Sequence, residues 1–358
     1  GGSSVSISGN LGDASILLPQ VTGPIRLEAN ADEDRNRVWT WQTEAAMDGT
    51  LLVATGSAVD IYGTPVIAAS GKLQADDLSD FAALARRPIA GQLEPDFVGE
   101  LSTDLSRISA AMTGTAVDLK TGVAEADNLF GGSVAFDIDA AMAGDVISLQ
   151  GSTLDGPRLR LNADGILTPE AGRFALDGRI ADASLLLPGA PAEALDFSAK
   201  SHRQGEGWRF QSNASGAGLS MTAQGLAIDP LGEEAAVDGS LRATAADLSI
   251  LSNLAGRPIA GQLALEATGQ VLADLTGFDL SASVDGKGLK TGQAAVDRLL
   301  AGDLSARIVA DRDGEAVNLS TFDLTTALLT AQASGNLAAD GSEMKVDARV
   351  ADISPFAT

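Results

Sequence analysis

The sequence predicts an all-β protein: an elongated antiparallel β-sheet curled into a hydrophobic groove, built from tandem repeats with a few short helices. Two observations predict this class. Apolar residues alternate with polar residues in many short segments, and one long stretch of sequence occurs twice. The composition agrees, because 40 glycines and only 4% aromatic residues leave a core of small and branched aliphatic side chains.

The repeat is clearest in the heptapeptide Arg-Pro-Ile-Ala-Gly-Gln-Leu, which occupies residues 87–93 and again residues 257–263. The same offset of 170 residues, from Arg87 to Arg257, aligns Lys120-Thr121-Gly122 with Lys290-Thr291-Gly292. We therefore predict a leading segment at residues 1–12, a first repeat at 13–181 and a second repeat at 182–351. Residues 352–358 are predicted to begin a third.

Period-two alternation predicts strands at equivalent places in the two repeats, at residues 108–112, 134–140, 174–180, 278–284, 304–310 and 344–350. Asp-Gly pairs predict tight hairpin turns between strands, because both residues tolerate positive φ. These pairs begin at Asp48, Asp155, Asp164, Asp177, Asp238, Asp285, Asp313 and Asp340. The pattern indicates a long antiparallel meander.

Short helices are predicted where leucine and phenylalanine recur every three residues after an aspartate suited to the N-cap. One follows Asp77 at residues 78–86, and its counterpart follows Asp247 at residues 248–255. A second pair is predicted at residues 124–130 and 294–300.

The alternation sends one parity of each strand to a single face. We expect that face to be a continuous, concave apolar lining, and the sequence offers only short helices to cover it, so much of it should stay open to acyl chains. The predicted lining residues are Leu263, Leu265, Phe278, Leu280, Leu304, Ile308, Val346 and Val350, with Ile108, Met112, Val134, Phe136 and Ile138 in the first repeat.

Composition argues against several function classes. The net charge of −24 repels nucleic acid and anionic membrane surfaces. The absence of cysteine excludes disulfides, thiolate metal sites and thiol catalysis. No complete catalytic set is found, so we expect no enzyme activity, no metal and no cofactor.

The near matches to functional motifs are interpreted as structural. His202 lies in a polar stretch and is predicted to be a solvated turn residue. Lys290-Thr291-Gly292 matches a box of penicillin-binding enzymes, but Lys120-Thr121-Gly122 is its tandem copy, which favours a strand or turn signal. Gly286-Lys287-Gly288 begins like a phosphate loop without its continuation and is predicted to be a hairpin. Trp39 and Trp208 are predicted to pack in the core or at an edge.

Asp-Leu-Ser, a leucine-spaced short helix and then Arg-Pro-Ile-Ala-Gly-Gln-Leu together resemble the repeats of the translocation and assembly module (TamB) family, within the AsmA-like, repeating β-groove proteins. The second repeat has the phrase at residues 247–263, while the first has Arg86 where Gly256 stands. The resemblance implies the middle segment of a periplasmic β-taco groove with an inner-membrane anchor outside this sequence. It also implies phospholipid acyl chains as cargo, a BamA-like outer-membrane barrel of the TamA type as partner, and a role in lipid transport or outer-membrane protein assembly.

The alternative is a different class, an extracellular β-rich stalk or adhesin passenger without a lipid ligand. A solenoid stalk should show short regular coils and asparagine ladders, whereas this repeat is long and contains helical interruptions.

Overall fold

The computed structural model describes residues 2–16, 20, 22–229, 232, 235–338 and 341–352. The chain divides into two units, Gly1–Ala181 and Asp182–Thr358. The division falls at the residue where the second sequence repeat begins. Of the predicted third repeat, residues 353–358 lie outside the described residues.

In the described part of the first unit, each strand pairs antiparallel with the next one along the chain. The strands are β1 (Ser4–Leu11), β2 (Ile25–Glu33), β3 (Trp39–Met47), β4 (Thr50–Val59), β5 (Val66–Ala75), β6 (Ala90–Ser102), β7 (Arg107–Lys120), β8 (Ser133–Ala143), β9 (Val146–Asp155), β10 (Leu159–Leu167) and β11 (Gly172–Ile180). Single 3₁₀ turns lie at Ala14–Ile16 and Leu78–Phe81, and the α-helices are α1 (Ala82–Ala85) and α2 (Ala124–Leu129).

The described part of the second unit is again an antiparallel meander. Its strands are β12 (Leu195–Gln204), β13 (Gly207–Gly216), β14 (Leu219–Ile228), β15 (Ala236–Ala245), β16 (Ala260–Leu272), β17 (Gly277–Lys290), β18 (Asp303–Asp313), β19 (Ala316–Thr326), β20 (Leu329–Ala338) and β21 (Gly341–Val350). Here 3₁₀ turns lie at Ala183–Leu185 and Leu248–Leu251, and α3 spans Ala294–Leu299. The predicted fold class, an open antiparallel sheet with a few short helices, is confirmed, as are all six predicted strands.

The predicted helices are present, with one of them shorter than expected. Asp77 and Asp247 cap their 3₁₀ turns, each accepting a hydrogen bond at 2.9 Å from the backbone N–H two residues on. The helix predicted at 248–255 is a 3₁₀ turn at Leu248–Leu251 followed by further turns. There the Ser252 hydroxyl bonds both the N–H and the carbonyl of Ile259, which fixes the chain leaving the turn.

The hairpin prediction from Asp-Gly pairs is correct at some positions and wrong at others. Asp48-Gly49 connects β3 to β4, and the pairs at Asp155 and Asp313 lie at the ends of β9 and β18. The prediction is wrong for four pairs, which lie inside strands: those at Asp164, Asp177, Asp238 and Asp285. Asp340 lies outside the described residues.

Close strand approach explains a glycine inside β15. A Cβ added at Gly239 would overlap the carbonyl oxygen of Gln224 on β14, so the neighbouring strand leaves no room for a side chain. The residues 286–288, predicted as a hairpin, likewise belong to β17, where a Cβ at Gly286 would overlap the Leu289 side chain. Within a strand, the Asp-Gly pair therefore indicates a position without room for a side chain rather than a turn.

The two repeated motifs form one structural unit. In the heptapeptide, Gly91 and Gly261 have φ of 106° and 108°, and each marks a β-bulge against the following strand. Gly122 of the Lys-Thr-Gly motif lies so close to Pro88 that a Cβ would overlap the proline ring, and Gly292 faces Pro258 in the same way. The motif is therefore a turn signal, as predicted.

Candidate functional site

Each unit has two distinct edges, because consecutive strands are antiparallel and all odd-numbered strands end at the same side. We call this side the helical edge, since the connections there carry the helices: residues 76–89 and 121–132 in the first unit, and 246–259 and 291–302 in the second. The opposite side, with loops such as 103–106 and 273–276, is the hairpin edge.

The second unit has one face on which nearly every cross-strand neighbour is apolar; this is its apolar face. The side chains of cross-strand partners lie on the same side of a sheet, so the pairing register shows which residues share a face. One row crosses all ten strands from β12 to β21: Ala199, Ser212, Ala223, Leu241, Ala267, Ala282, Ile308, Phe322, Ala333 and Val346. Ser212 is its only polar member.

The first unit has an equivalent apolar face. From β1 to β8 its central row is Ile7, Ala29, Thr43, Ala54, Gly71, Phe97, Met112 and Ile138. Thr43, the one polar side chain, stands 169 residues before Ser212, at the equivalent position of the other repeat. The two units thus repeat the face and its one polar interruption.

The register places the predicted lining residues of each unit on its apolar face. Leu265 faces Val284, and Leu280 faces Ala310. Gly286 lies between Leu263 on β16 and Leu304 on β18. In the first unit, Ile108 faces Met142 while Met112 faces Ile138. Phe278 marks a limit of the apolar surface, because its partner on β18 is Arg312 near the hairpin edge.

Burial differs along this face. Val134 and Leu304, at the helical edge, are 2% and 8% exposed, whereas Val346 and Val350 on β21 are 65% and 42% exposed. The other predicted lining residues are half-buried. Further exposed side chains on the apolar faces are Val5, Ile7, Ile147, Phe174, Met221, Val237, Leu337 and Met344.

Side-chain hydrogen bonds fix the connections at the helical edge. Asp297 Oδ1 accepts hydrogen bonds from the backbone N–H of Thr291 at 2.6 Å and from its hydroxyl at 2.8 Å. Asp127 does the same for Thr121, at 2.5 and 2.9 Å. The backbone N–H bond is the main reason that the pKa of each aspartate is lowered.

The opposite face is polar and carries cross-strand ion pairs. Lys72 pairs with Asp96 at 3.3 Å, and Arg242 pairs with Glu266 at 2.6 Å. All four side chains are more than half exposed, so such pairs add solubility and little stability.

A cavity of about 750 Å³ lies at the helical edge of the second unit. Its wall includes the apolar-face residues Leu263 and Leu304 and the polar-face residues Asp285, Lys287 and Asp303. Most of its lining residues hold polar-face positions, and the side chains of Leu304 and Thr326 are buried, so the cavity lies on the polar face beside the helical edge. The sequence alone did not predict this cavity, although Lys287 lies within the near match to a phosphate loop.

The remaining near matches contribute no residue to the wall of this cavity. His202 is exposed within β12, so its assignment to a turn was wrong; the turn follows at Gly205. The Trp39 indole nitrogen is buried and has no hydrogen-bond partner among the described residues, as expected if this side chain packs against the protein. In the same part of the chain, no group of three or more His, Asp or Glu residues is placed to hold a metal ion.

None of the helices within the described ranges is both long enough and apolar enough to cross a membrane. Comparisons with protein-family models, with curated proteins and with solved structures find no match to this chain. The fold itself defines a class: an all-β repeat protein whose open antiparallel sheet has one apolar and one polar face.

Proposed function

We propose that this chain is a non-enzymatic segment of a bacterial envelope protein whose apolar faces bind phospholipid acyl chains. The protein carries lipid between the inner and outer membranes, assists outer-membrane protein assembly, or does both. The sequence resemblance to TamB repeats underlies the periplasmic location, the inner-membrane anchor outside this sequence and the BamA-like partner of the TamA type.

The observation that carries the proposal is the row across ten strands of the second unit, which is apolar except for Ser212 and remains partly exposed. Apolar area left in water costs about 25 cal/mol per Å² relative to burial, so a face of this kind favours an apolar ligand. The helices at the helical edge are six residues long or shorter, and they cover only the nearest side chains.

The chemistry of the row also suits acyl chains. Half of its ten members are alanine, three are larger aliphatic residues, and Phe322 on β19 is its one aromatic residue. Small side chains leave room above the sheet for a flexible hydrocarbon.

Mass spectrometry of organic extracts tests the proposal. The chain is purified without detergent from cells in which it is secreted to the periplasm, and an acidic protein of similar size without an apolar face serves as control. We expect phospholipid in at least stoichiometric amount with the chain and only traces with the control. Protein free of lipid after this preparation, and unable to take lipid from vesicles, would instead support the β-rich stalk.

A further inference from the structure

We propose that the apolar face of the second unit binds a phospholipid in one orientation. The phosphate of the headgroup contacts the guanidinium of Arg312 at the hairpin edge, and the acyl chains run along the face towards the helical edge. This inference rests on the proposed function and adds to it the class of headgroup and the direction of the ligand.

Arg312 belongs to the apolar face itself. Its cross-strand partners are Phe278 on β17 and Val317 on β19, so the three side chains share a face. Arg312 is half-buried, and so is Arg203, which lies opposite Trp208 on the same face. All other lysines and arginines, each of which is a described residue, are exposed. These two arginines therefore combine a positive charge with an apolar surface.

The guanidinium of Arg312 is held at one end only. Its Nε–H donates a hydrogen bond to the carbonyl oxygen of Gly314 at 2.8 Å, whereas its two terminal nitrogens form no hydrogen bond or ion pair with a described residue. Asp274, in a neighbouring hairpin-edge loop, accepts two hydrogen bonds from Thr276 instead. Those bonds are the main cause of the lowered pKa of Asp274, and the charge of Arg312 contributes least. The terminal nitrogens are therefore available to a phosphate.

The first unit shows that the turn after β18 does not need this arginine. Met142 stands 170 residues before Arg312, at the equivalent place on β8. The turns that follow are alike, since Gly144 and Gly314 have φ of 57° and 60°. A turn of this form thus exists without the Nε bond, and the arginine is an addition of the second unit.

Arg203 repeats the arrangement at another position of the same edge. Its Nε–H donates a hydrogen bond to the carbonyl oxygen of Gly205 at 3.3 Å, and an aromatic residue, Trp208, is its cross-strand partner. At the equivalent place in the first unit, Trp39 pairs with Glu33. Positive charge at the hairpin edge of the apolar face is therefore a property of the second unit.

The apolar face is covered at the helical edge and open at the hairpin edge. Ala245 and Leu304 are buried near the helical edge, whereas Val237 and Leu337, towards the hairpin edge, are exposed. From Leu304 to Arg312 the face extends roughly 26 Å along β18, at about 3.3 Å per residue. A phospholipid with its phosphate on Arg312 thus has its headgroup at the open end and its chains on the apolar side chains.

A phosphodiester suits the guanidinium better than any other part of a lipid. The terminal N–H groups of an arginine form paired, charge-assisted hydrogen bonds with two phosphate oxygens. An apolar surface beside the charge lowers the local dielectric constant and strengthens the attraction. A diacylglycerol, which has the same chains without a phosphate, leaves the guanidinium unpaired. The face should therefore prefer the phospholipid.

Calorimetry with the whole chain and short-chain probes below their micellar concentration tests the inference. The probes are dihexanoylphosphatidylcholine, dihexanoylglycerol, glycerophosphocholine and inorganic phosphate. We expect the phospholipid to bind about tenfold more tightly than dihexanoylglycerol, a difference of about 1.4 kcal/mol. Glycerophosphocholine and inorganic phosphate should bind far more weakly, because they lack the acyl chains.

The variants exchange residues between the two units. Arg312→Met should lower the preference for the phospholipid about threefold and leave the binding of dihexanoylglycerol unchanged, and the further change Arg203→Met should remove most of the remainder. Met142→Arg in the wild-type chain should raise the preference, because it places an arginine at the equivalent position of the first unit. Arg307→Met removes an exposed arginine from the polar face of β18 and should leave the preference intact.

Each contrary result overturns a defined part. Equal binding of the phospholipid and dihexanoylglycerol would remove the phosphate site and leave the acyl-chain proposal standing. A preference that persists in Arg312→Met would assign it to other groups. If that variant fails to fold, Met142→Arg decides, and an unchanged preference there would overturn the inference. Glycerophosphocholine binding as tightly as its lipid would show a headgroup site independent of the apolar face. If neither lipid binds, both this inference and the proposed function fail.

Discussion

Trp41 on β3 lies over Gly56, its cross-strand partner on β4, so closely that a Cβ at this glycine would overlap the indole ring and the Ala68 carbonyl oxygen. The second unit pairs Phe210 with Gly225 at the equivalent place. A second pair of this kind is Phe174 over Gly165, matched by Met344 over Gly335. Large side chains covering glycines in neighbouring strands are a means of bending a sheet while keeping its face filled.

Gly56→Ala should therefore destabilise the first unit by about 1–3 kcal/mol, because the added methyl group must displace either the ring or the neighbouring strand. Urea unfolding followed by tryptophan fluorescence measures this. Gly9→Ala in β1 is the control, since nothing lies within 4 Å of its added Cβ, and it should change stability by less than about 0.5 kcal/mol. Equal effects of the two substitutions would show that Gly56 is not crowded.

Replacing Leu105 or Leu275 with glycine should stabilise the folded protein. They stand at equivalent positions in hairpin-edge loops, both with φ of 59°, and are 58% and 62% exposed. A leucine at positive φ is strained, and an exposed one loses little packing when removed, so Leu275→Gly should raise stability by about 0.5–1 kcal/mol. Leu337→Gly in β20, 45% exposed and outside the left-handed region, should lower it by a similar amount. A loss of stability in both glycine variants would contradict the claim that Leu275 is strained.

The ionised Asp104 side chain should make the stability of the folded protein depend on pH in the acidic range. The backbone N–H of Ser106, with help from the Ser102 and Ser106 hydroxyls, lowers the pKa of Asp104 from 3.8 to about 2. A lowered pKa in the folded state gives stability that is fully present above pH 4 and is lost as the pH falls towards 2. The stability difference between the wild type and Asp104→Asn should thus shrink between pH 5 and pH 2.5.

Thermal unfolding at a series of pH values checks this, with Asp347→Asn on β21 as the control for removing one negative charge. Asp274, whose pKa is lowered chiefly by the N–H of Thr276, should behave as Asp104 does. A wild-type advantage that stays constant down to pH 2.5 would contradict the assignment.

Ile308→Asp should impair lipid binding more than folding. Ile308 is half-buried between Ala282 and Phe322 on the apolar face, so a carboxylate there reaches solvent if the face is open. In a closed core it would be buried without a partner, at a cost of several kcal/mol. Ser283→Asp on the polar face of β17 is the control. Loss of the fold in Ile308→Asp alone would show that the face is an ordinary core.

The sequence predicted the strands, the short helices and the parity of the apolar face, because these depend on local periodicity and capping. It was wrong about Asp238-Gly239 and Asp285-Gly286, because the crowding of Gly239 by β14 and of Gly286 by the Leu289 side chain arises only in the folded chain. The cavity at Lys287 was missed for the same reason: its wall comes from several strands.

A photo-crosslinking amino acid at Ile308, compared with one at Arg307, tests the acyl-chain proposal most directly. The two positions are adjacent on β18 and lie on opposite faces, Ile308 opposite Ala282 and Arg307 opposite Ser283. On irradiation in cells that produce the periplasmic chain, we expect a phospholipid adduct at position 308 and none at 307, detected by mass spectrometry. No adduct at 308, or equal adducts at both positions, would contradict a lipid-binding apolar face.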